Sequence, residues 1–112
     1  MAAKEKPLSR EIVPSSPGSR RRAIERVHGD RCQICGEALV LRDWTTYSEA
    51  HHIMPLGRPH NGPDIGKNIL VLCPNHHALC DLQAIELDLD ALRLHADHEV
   101  DARFVEYHSG PL

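Results

Sequence analysis

The sequence predicts an α+β domain: strand, turn-rich loop, strand and helix in succession, with a metal-binding knuckle in front and a β-hairpin behind. Three observations predict it. Cys32-Gln-Ile-Cys35 and Cys73-Pro-Asn-His76 are two pairs with the two-residue spacing that suits a closed tetrahedral ion. Between them, His51-His52 sits on one apolar run, and Asn68 opens another, the continuous stretch Ile69-Leu-Val-Leu72. Just after the second pair, His77 and Asp81 stand four apart, which places them on one face of a helix.

Taken in order, residues 1–18 mix Lys, Glu and Ser with Pro7, Pro14 and Pro17 and show no apolar periodicity, as a flexible tail or linker does. The single domain is expected over 19–112. Ser19 is a candidate cap for a helix reaching Val27, with Ala23, Ile24 and Val27 on one face and Gly29 as its stop. The Cys32–Cys35 turn aims two thiolates at one ion, and Gly36 relieves the tight backbone after it. A short strand is expected at Ala38–Leu41, and a second from Tyr47 to Ile53, stopped by Pro55. Leu56 to Lys67 is a loop whose prolines limit its freedom. Ile69–Leu72 is a buried strand, and Cys73-Pro74 starts a helix running to about Leu82, with proline at its first position. Beyond it, Ile85, Leu87 and Leu89 alternate, and Leu92, Leu94 and Ala96 repeat the pattern, which predicts a C-terminal hairpin. Arg103–Tyr107 fits a last strand or a helical turn equally.

Composition narrows the function. A chain of 112 residues with one Trp, one Phe and two Tyr has a small core that a metal or disulfide commonly staples. Cys-x-x-Cys beside nine histidines, with no signal peptide, favours metal-binding thiols over disulfides. No apolar run reaches the roughly 18 residues of a membrane span, so the chain is expected in the cytoplasm. The net charge of −3 argues against gripping nucleic acid by bulk electrostatics alone. Residues 1–45 nevertheless carry nine basic and six acidic side chains, whereas 82–112 carry two and seven. Phosphate contacts are therefore expected from the front half, through Arg20, Arg21, Arg22 and Arg26.

His51 and His52 are strand neighbours and point different ways, so one can hold an ion while the other approaches from elsewhere. Cys32, Cys35, Cys73 and His76 suit structural Zn²⁺. A rival pairs His76 with Cys80 on one helical face; a small buried thiol is the preferred reading of Cys80. Glu49 fits a residue orienting a ligand or an ordinary surface glutamate. Arg58 and His60 fit a DNA contact or plain loop polarity. Trp44 and Tyr47 are expected in core or rim packing, and His28, His60, His95, His98 and His108 at the surface or in hydrogen bonds.

The run Glu49-Ala-His51-His52-Ile-Met-Pro55-Leu, followed by Asn68-Ile-Leu-Val-Leu-Cys73-Pro-Asn-His76-His77 and Asp81, resembles the HNH endonuclease family and its ββα-metal (His-Me finger) nuclease core. Cys32-Gln-Ile-Cys35-Gly and Pro55-Leu-Gly-Arg-Pro-His-Asn-Gly-Pro-Asp64 resemble the HNH domains of modification-dependent restriction endonucleases, where the unit follows a reader of modified DNA. The resemblance covers about residues 20–108. It implies a structural zinc knuckle, with His76 standing where many relatives carry cysteine, and an apolar residue in relatives where Cys80 stands here. It implies His51, His77 and Asp81 around one catalytic ion, His52 as general base, Asn68 orienting His52, and His77 closing the motif. Cleavage of DNA in restriction or defence follows, with 5′-phosphate products. The ion would be Mn²⁺, Ni²⁺, Mg²⁺ or Zn²⁺, and the partners DNA, a separate reader domain or protein, and a second copy of the chain. The competing readings are a zinc-stapled binding module that does not cut, and a redox protein using Cys32 and Cys35. The full His52, Asn68 and His77 set speaks against the first, the missing thioredoxin-like pattern against the second.

Overall fold

The computed structural model describes residues 17–111. Helix α1 (Pro17–Val27) leads to strands β1 (Leu39–Val40) and β2 (Thr46–Tyr47), then to β3 (Glu49–His52). A 3-10 turn at Gly66–Asn68 runs into β4 (Ile69–Leu72), followed by α2 (Pro74–Asp81), a second 3-10 turn at Leu89–Ala91, and α3 (Ala102–His108). β1 and β2 form one antiparallel pair, β3 and β4 another, with His51 opposite Leu70 and His52 opposite Ile69.

β4 is the centre. All four of its side chains are at most 1% exposed, which is why the sequence shows an unbroken apolar run there instead of alternation. Burial of each contributes about 1.5–3 kcal/mol. β3 covers one edge of β4. The other edge is met by a single residue of the knuckle, Gln33, which is fully buried. Its backbone N–H donates to Val71 O (2.8 Å), and its Oε1 accepts from Val71 N–H (2.9 Å). Its Nε2 donates to Arg93 O (3.0 Å), tying the C-terminal segment to the same point.

α1 begins at Pro17, two residues ahead of the expected Ser19 cap, so Pro17 and Gly18 belong to the helix and not to the tail; proline suits a first helical turn. The rest of the expected tail, residues 1–16, lies outside the described residues. The helix ends as expected at Gly29, which has φ +60°. Gly29 N–H donates to Arg26 O (3.0 Å) and Asp30 N–H to Glu25 O (2.9 Å), the pair of bonds that closes a Schellman end. Gly36 likewise has φ +80°, the left-handed backbone that the knuckle requires.

Asp30 explains why the expected Tyr47–Ile53 strand is two strands. Its carboxylate accepts from Arg22 Nη1 (2.9 Å), Thr46 Oγ1 (2.6 Å) and Ser48 Oγ (2.6 Å). Ser48 turns inward to make this bond, and the chain leaves the β1 pairing there to join β4. Burial pushes the Asp30 carboxyl up, but the hydrogen bonds from Ser48, Thr46 and Arg22 outweigh it and hold the group below the usual range. A lowered carboxylate pKa stabilises the fold above the unfolded value of about 3.9, and that contribution is lost as pH falls through the folded value. Asp30→Asn should therefore cost about 2 kcal/mol at neutral pH. In urea unfolding, the gap from wild type should hold down to about pH 4 and close below it.

Two expectations are corrected. The C-terminal segment forms no hairpin: among the described residues it holds one isolated bridge, His95 to His98, and then a helix. Asp88 caps the 3-10 turn through Asp90 N–H, and Asp101 caps α3 through Arg103 N–H, so both carboxylates break the extended backbone the alternation suggested. Phe104, Val105 and His108 turn one face of α3 into the core. Trp44 packs into neither core nor rim; it stands 85% exposed at the bend between β1 and β2 with φ +71°. No helix among the described residues is long and apolar enough to cross a membrane.

Candidate active site

The first ligand cluster is built by two chain segments meeting at the start of α2. Cys73 caps that helix, its Sγ accepting from His76 N–H at 3.5 Å, and Pro74 fills the first helical position. Cys73 Sγ lies 4.0 Å from Cys35 Sγ and 3.2 Å from His76 Nδ1, and Cys32 Sγ lies 3.7 Å from His76 Nδ1. A tetrahedral zinc with Zn–S about 2.3 Å and Zn–N about 2.0–2.1 Å puts neighbouring ligands about 3.4–3.8 Å apart. The donor set and its spacing fit zinc. All four cysteines are free thiols. Burial pushes the Cys32 thiol up, yet backbone N–H groups of Cys35, Cys73 and Ile34 outweigh it and favour the thiolate a metal needs. Cys80 stands apart from the cluster, buried in the core, and burial pushes its thiol up to about 11.

The second cluster joins β3 to the other end of α2. One ligand atom from each of His51, His77 and Asp81 lies within 4.8 Å of the others. Asp81 spans both rings: Oδ1 is 3.3 Å from His51 Nδ1, and Oδ2 is 3.4 Å from His77 Nε2. Ligands about 2.0–2.2 Å from a shared ion stand roughly 3–3.5 Å apart. His51 is buried and its Nε2 has no hydrogen-bond partner. Burial, with His77 beside it, lowers its pKa to about 4, so the ring is neutral and keeps a lone pair for a cation. The Asp81 side chain is 58% exposed, so the cluster faces solvent on one side, unlike the closed knuckle. The residues fit a divalent ion with open positions.

Glu49 holds His77 from behind: its Oε1 lies 2.7 Å from His77 Nδ1, and its Oε2 accepts from Tyr47 OH at 2.7 Å. Glu49 is therefore committed to the His77 ring and Tyr47 and is not an ordinary surface glutamate. His52, the next residue after His51, points elsewhere, as strand neighbours do. Its Nε2 lies 2.8 Å from Asp64 Oδ1. Asp64 Oδ2 is 3.7 Å from Arg21 Nη1 on α1. Asn68 makes no hydrogen bond to the His52 ring. Fully buried, it donates from Nδ2 to Met54 O and Pro63 O (both 2.9 Å) and accepts Met54 N–H at Oδ1 (2.8 Å). It clamps the two ends of the loop that follows β3. Gly62 lies against that clamp, where a Cβ would collide with the Met54 carbonyl.

No local spacing in the sequence links Asp64 to His52, twelve positions earlier. Of the remaining histidines, His98 bonds His28 (2.8 Å) and Gly66 O (2.9 Å), His60 bonds Tyr107 OH (2.6 Å), and His108 bonds Ile85 O (2.8 Å). Arg58 makes none of these contacts.

Comparison with known proteins agrees with this geometry. The family model described as HNH endonuclease matches residues 32–87, from the first cysteine through α2 and beyond. No curated protein matches the chain. A solved structure, a modification-dependent TagI restriction endonuclease, aligns with a TM-score of 0.72 and 36% identity over 78% of this chain. The chain spans 35% of that protein's length. With the matched segment holding both ligand clusters, the chain belongs to the HNH endonuclease family.

Proposed function

We propose that this chain hydrolyses DNA phosphodiester bonds by a one-metal mechanism, with His52 as general base, in DNA restriction or defence. The observation that carries the reading is the solvent-facing His51–His77–Asp81 cluster, with His52 next to His51 on the same strand, in a chain of this family. A divalent ion held by these three residues would supply positive charge to the phosphoryl oxygens and the departing 3′ oxygen. His52 takes a proton from water, whose oxygen attacks phosphorus in line. Glu49 fixes the His77 ring, and Asn68 keeps the loop that frames the site in one shape. Arg21, on the half of the chain with net positive charge, reaches the same edge of the site and suits a phosphate.

Two histidines and one carboxylate favour Mn²⁺, Ni²⁺ or Zn²⁺ over Mg²⁺, though an aquated open site also accepts Mg²⁺. The solved relative is named a modification-dependent restriction endonuclease, and this chain spans 35% of it. We extend the proposal accordingly: the unit cuts in the cytoplasm alongside a separate reader of DNA, and two copies cut both strands.

The test is conversion of supercoiled plasmid, methylated and unmethylated, with each of the four ions. Wild type should nick or linearise it, and His52→Ala should be slower by about 10²–10⁴-fold. Equal rates for the two would remove His52 from its role. One tightly bound zinc with no metal-stimulated cleavage would point instead to a binding module.

A further inference from the structure

We propose that Asp64 is the positioning residue of the general base: its carboxylate holds the His52 ring in the tautomer and orientation that leave Nδ1 free to take a proton. The inference rests on the nuclease reading of the site. Three observations converge on it. Asp64 Oδ1 and His52 Nε2 are 2.8 Å apart, within hydrogen-bond distance. The second oxygen, Oδ2, faces Arg21 Nη1 at 3.7 Å, so the carboxylate is approached from two sides. The residue before it is pinned, because Pro63 O accepts from the fully buried Asn68. Gly62 N–H donates to Pro55 O at 2.7 Å, closing the loop on itself.

The chemistry follows from donor counts. An ionised carboxylate only accepts, so Nε2 must carry the hydrogen of this bond, and the lone pair of the neutral ring is then on Nδ1. The His52 hydrogen bond, outweighing the effect of partial burial and joined by the charges of Arg21 and Arg20, keeps Asp64 below the usual carboxylate range and therefore ionised. In the reaction Nδ1 takes one proton from water. The hydroxide oxygen bonds phosphorus as the bond to the 3′ oxygen breaks, and that oxygen gains a proton from solvent. The Nε2 hydrogen stays where it is, shared with Asp64, while the ring is positively charged. Without the carboxylate the ring can rotate and populate both tautomers, only one of which presents a base to the site. Asn68 cannot substitute, since its amide is committed to backbone groups on either side.

The experiment compares wild type, His52→Ala, Asp64→Ala and Asp64→Asn as full chains loaded with zinc. Steady-state cleavage is measured with Mn²⁺, together with thermal midpoints and the His52 Nε2–H proton resonance near pH 8. Asp64→Ala should lower kcat about 10- to 100-fold with KM within about twofold of wild type. Asp64→Asn, whose amide oxygen still accepts from Nε2–H, should fall between the two. The Nε2–H resonance should be downfield and slow to exchange in wild type and lost in Asp64→Ala. A wild-type kcat in Asp64→Ala overturns the proposal; so does a resonance unchanged by the substitution. If both variants lose activity equally and melt early, Asp64 is a structural residue and the proposal also falls. If wild type and His52→Ala cut alike, the assignment of His52 as general base fails on its own, and the resonance alone decides whether Asp64 holds the ring.

Discussion

Stripping the metal from Cys32, Cys35, Cys73 and His76 should unfold the domain. Structural zinc in small domains binds with about 10–16 kcal/mol at neutral pH, against a net stability of about 5–15 kcal/mol for a whole folded domain. The metal wins that comparison in a core with so few aromatics. The fold makes the dependence sharper. Gln33, inside the Cys32–Cys35 turn, supplies the hydrogen bonds for the outer edge of β4 and also holds Arg93. Cys73 belongs to the zinc-compatible cluster and is also the cap of α2. Loss of the ion thus loosens the central strand, the second helix and the C-terminal segment together. A strong chelator, or Cys32→Ser, should abolish the helical circular dichroism signal and the cooperative melt. Retention of the wild-type melting temperature after metal analysis shows no zinc would contradict this.

His77→Ala should have the opposite profile: cleavage lost, fold kept. The side chain is 26% exposed and lies on a helix, where alanine is the most favourable replacement. Glu49, left without its ring, still faces solvent and Tyr47. Stability should change by no more than about 1 kcal/mol. On the proposed one-metal reading, the ion would lose one of three protein ligands, and a Lewis acid worth several kcal/mol of transition-state charge corresponds to about 10³-fold or more in kcat. Glu49→Ala, which only frees the ligand ring, should cost about 10- to 100-fold. Plasmid cleavage and thermal melts on the same samples check both. A His77→Ala protein that cuts at the wild-type rate would remove His77 from the metal site.

Local features were readable in the chain and distant ones were not. β4 showed itself as four consecutive apolar residues, α2 through Pro74, and the two ligand clusters through their spacing, because each is governed by neighbours a few positions away. The break at Ser48 was hidden, since it depends on Asp30, eighteen residues earlier. Gln33 reads as an ordinary polar residue until β4 and Arg93 are beside it. The C-terminal hairpin failed for a different reason. Leu87 and Leu92 are buried, but a few inward side chains fit a bent segment as well as a strand. The discriminating signs were present: Asp101 ahead of Phe104, Val105 and His108 has the offsets of a capped helix. Asp64 was visible as a residue and silent as a partner.

One rod of eight residues serves both clusters, with Cys73 capping its start, His76 in its first turn, and His77 and Asp81 at its middle and far end. At about 1.5 Å per residue it is some 12 Å long. Such an arrangement imposes an order of assembly. If zinc must fill the Cys32–Cys35–Cys73–His76 cluster before the helix is held, His77 and Asp81 can meet His51 only afterwards. On the proposed nuclease reading, a newly made chain would therefore gain activity only after it acquires its first ion, and zinc supply would set the delay.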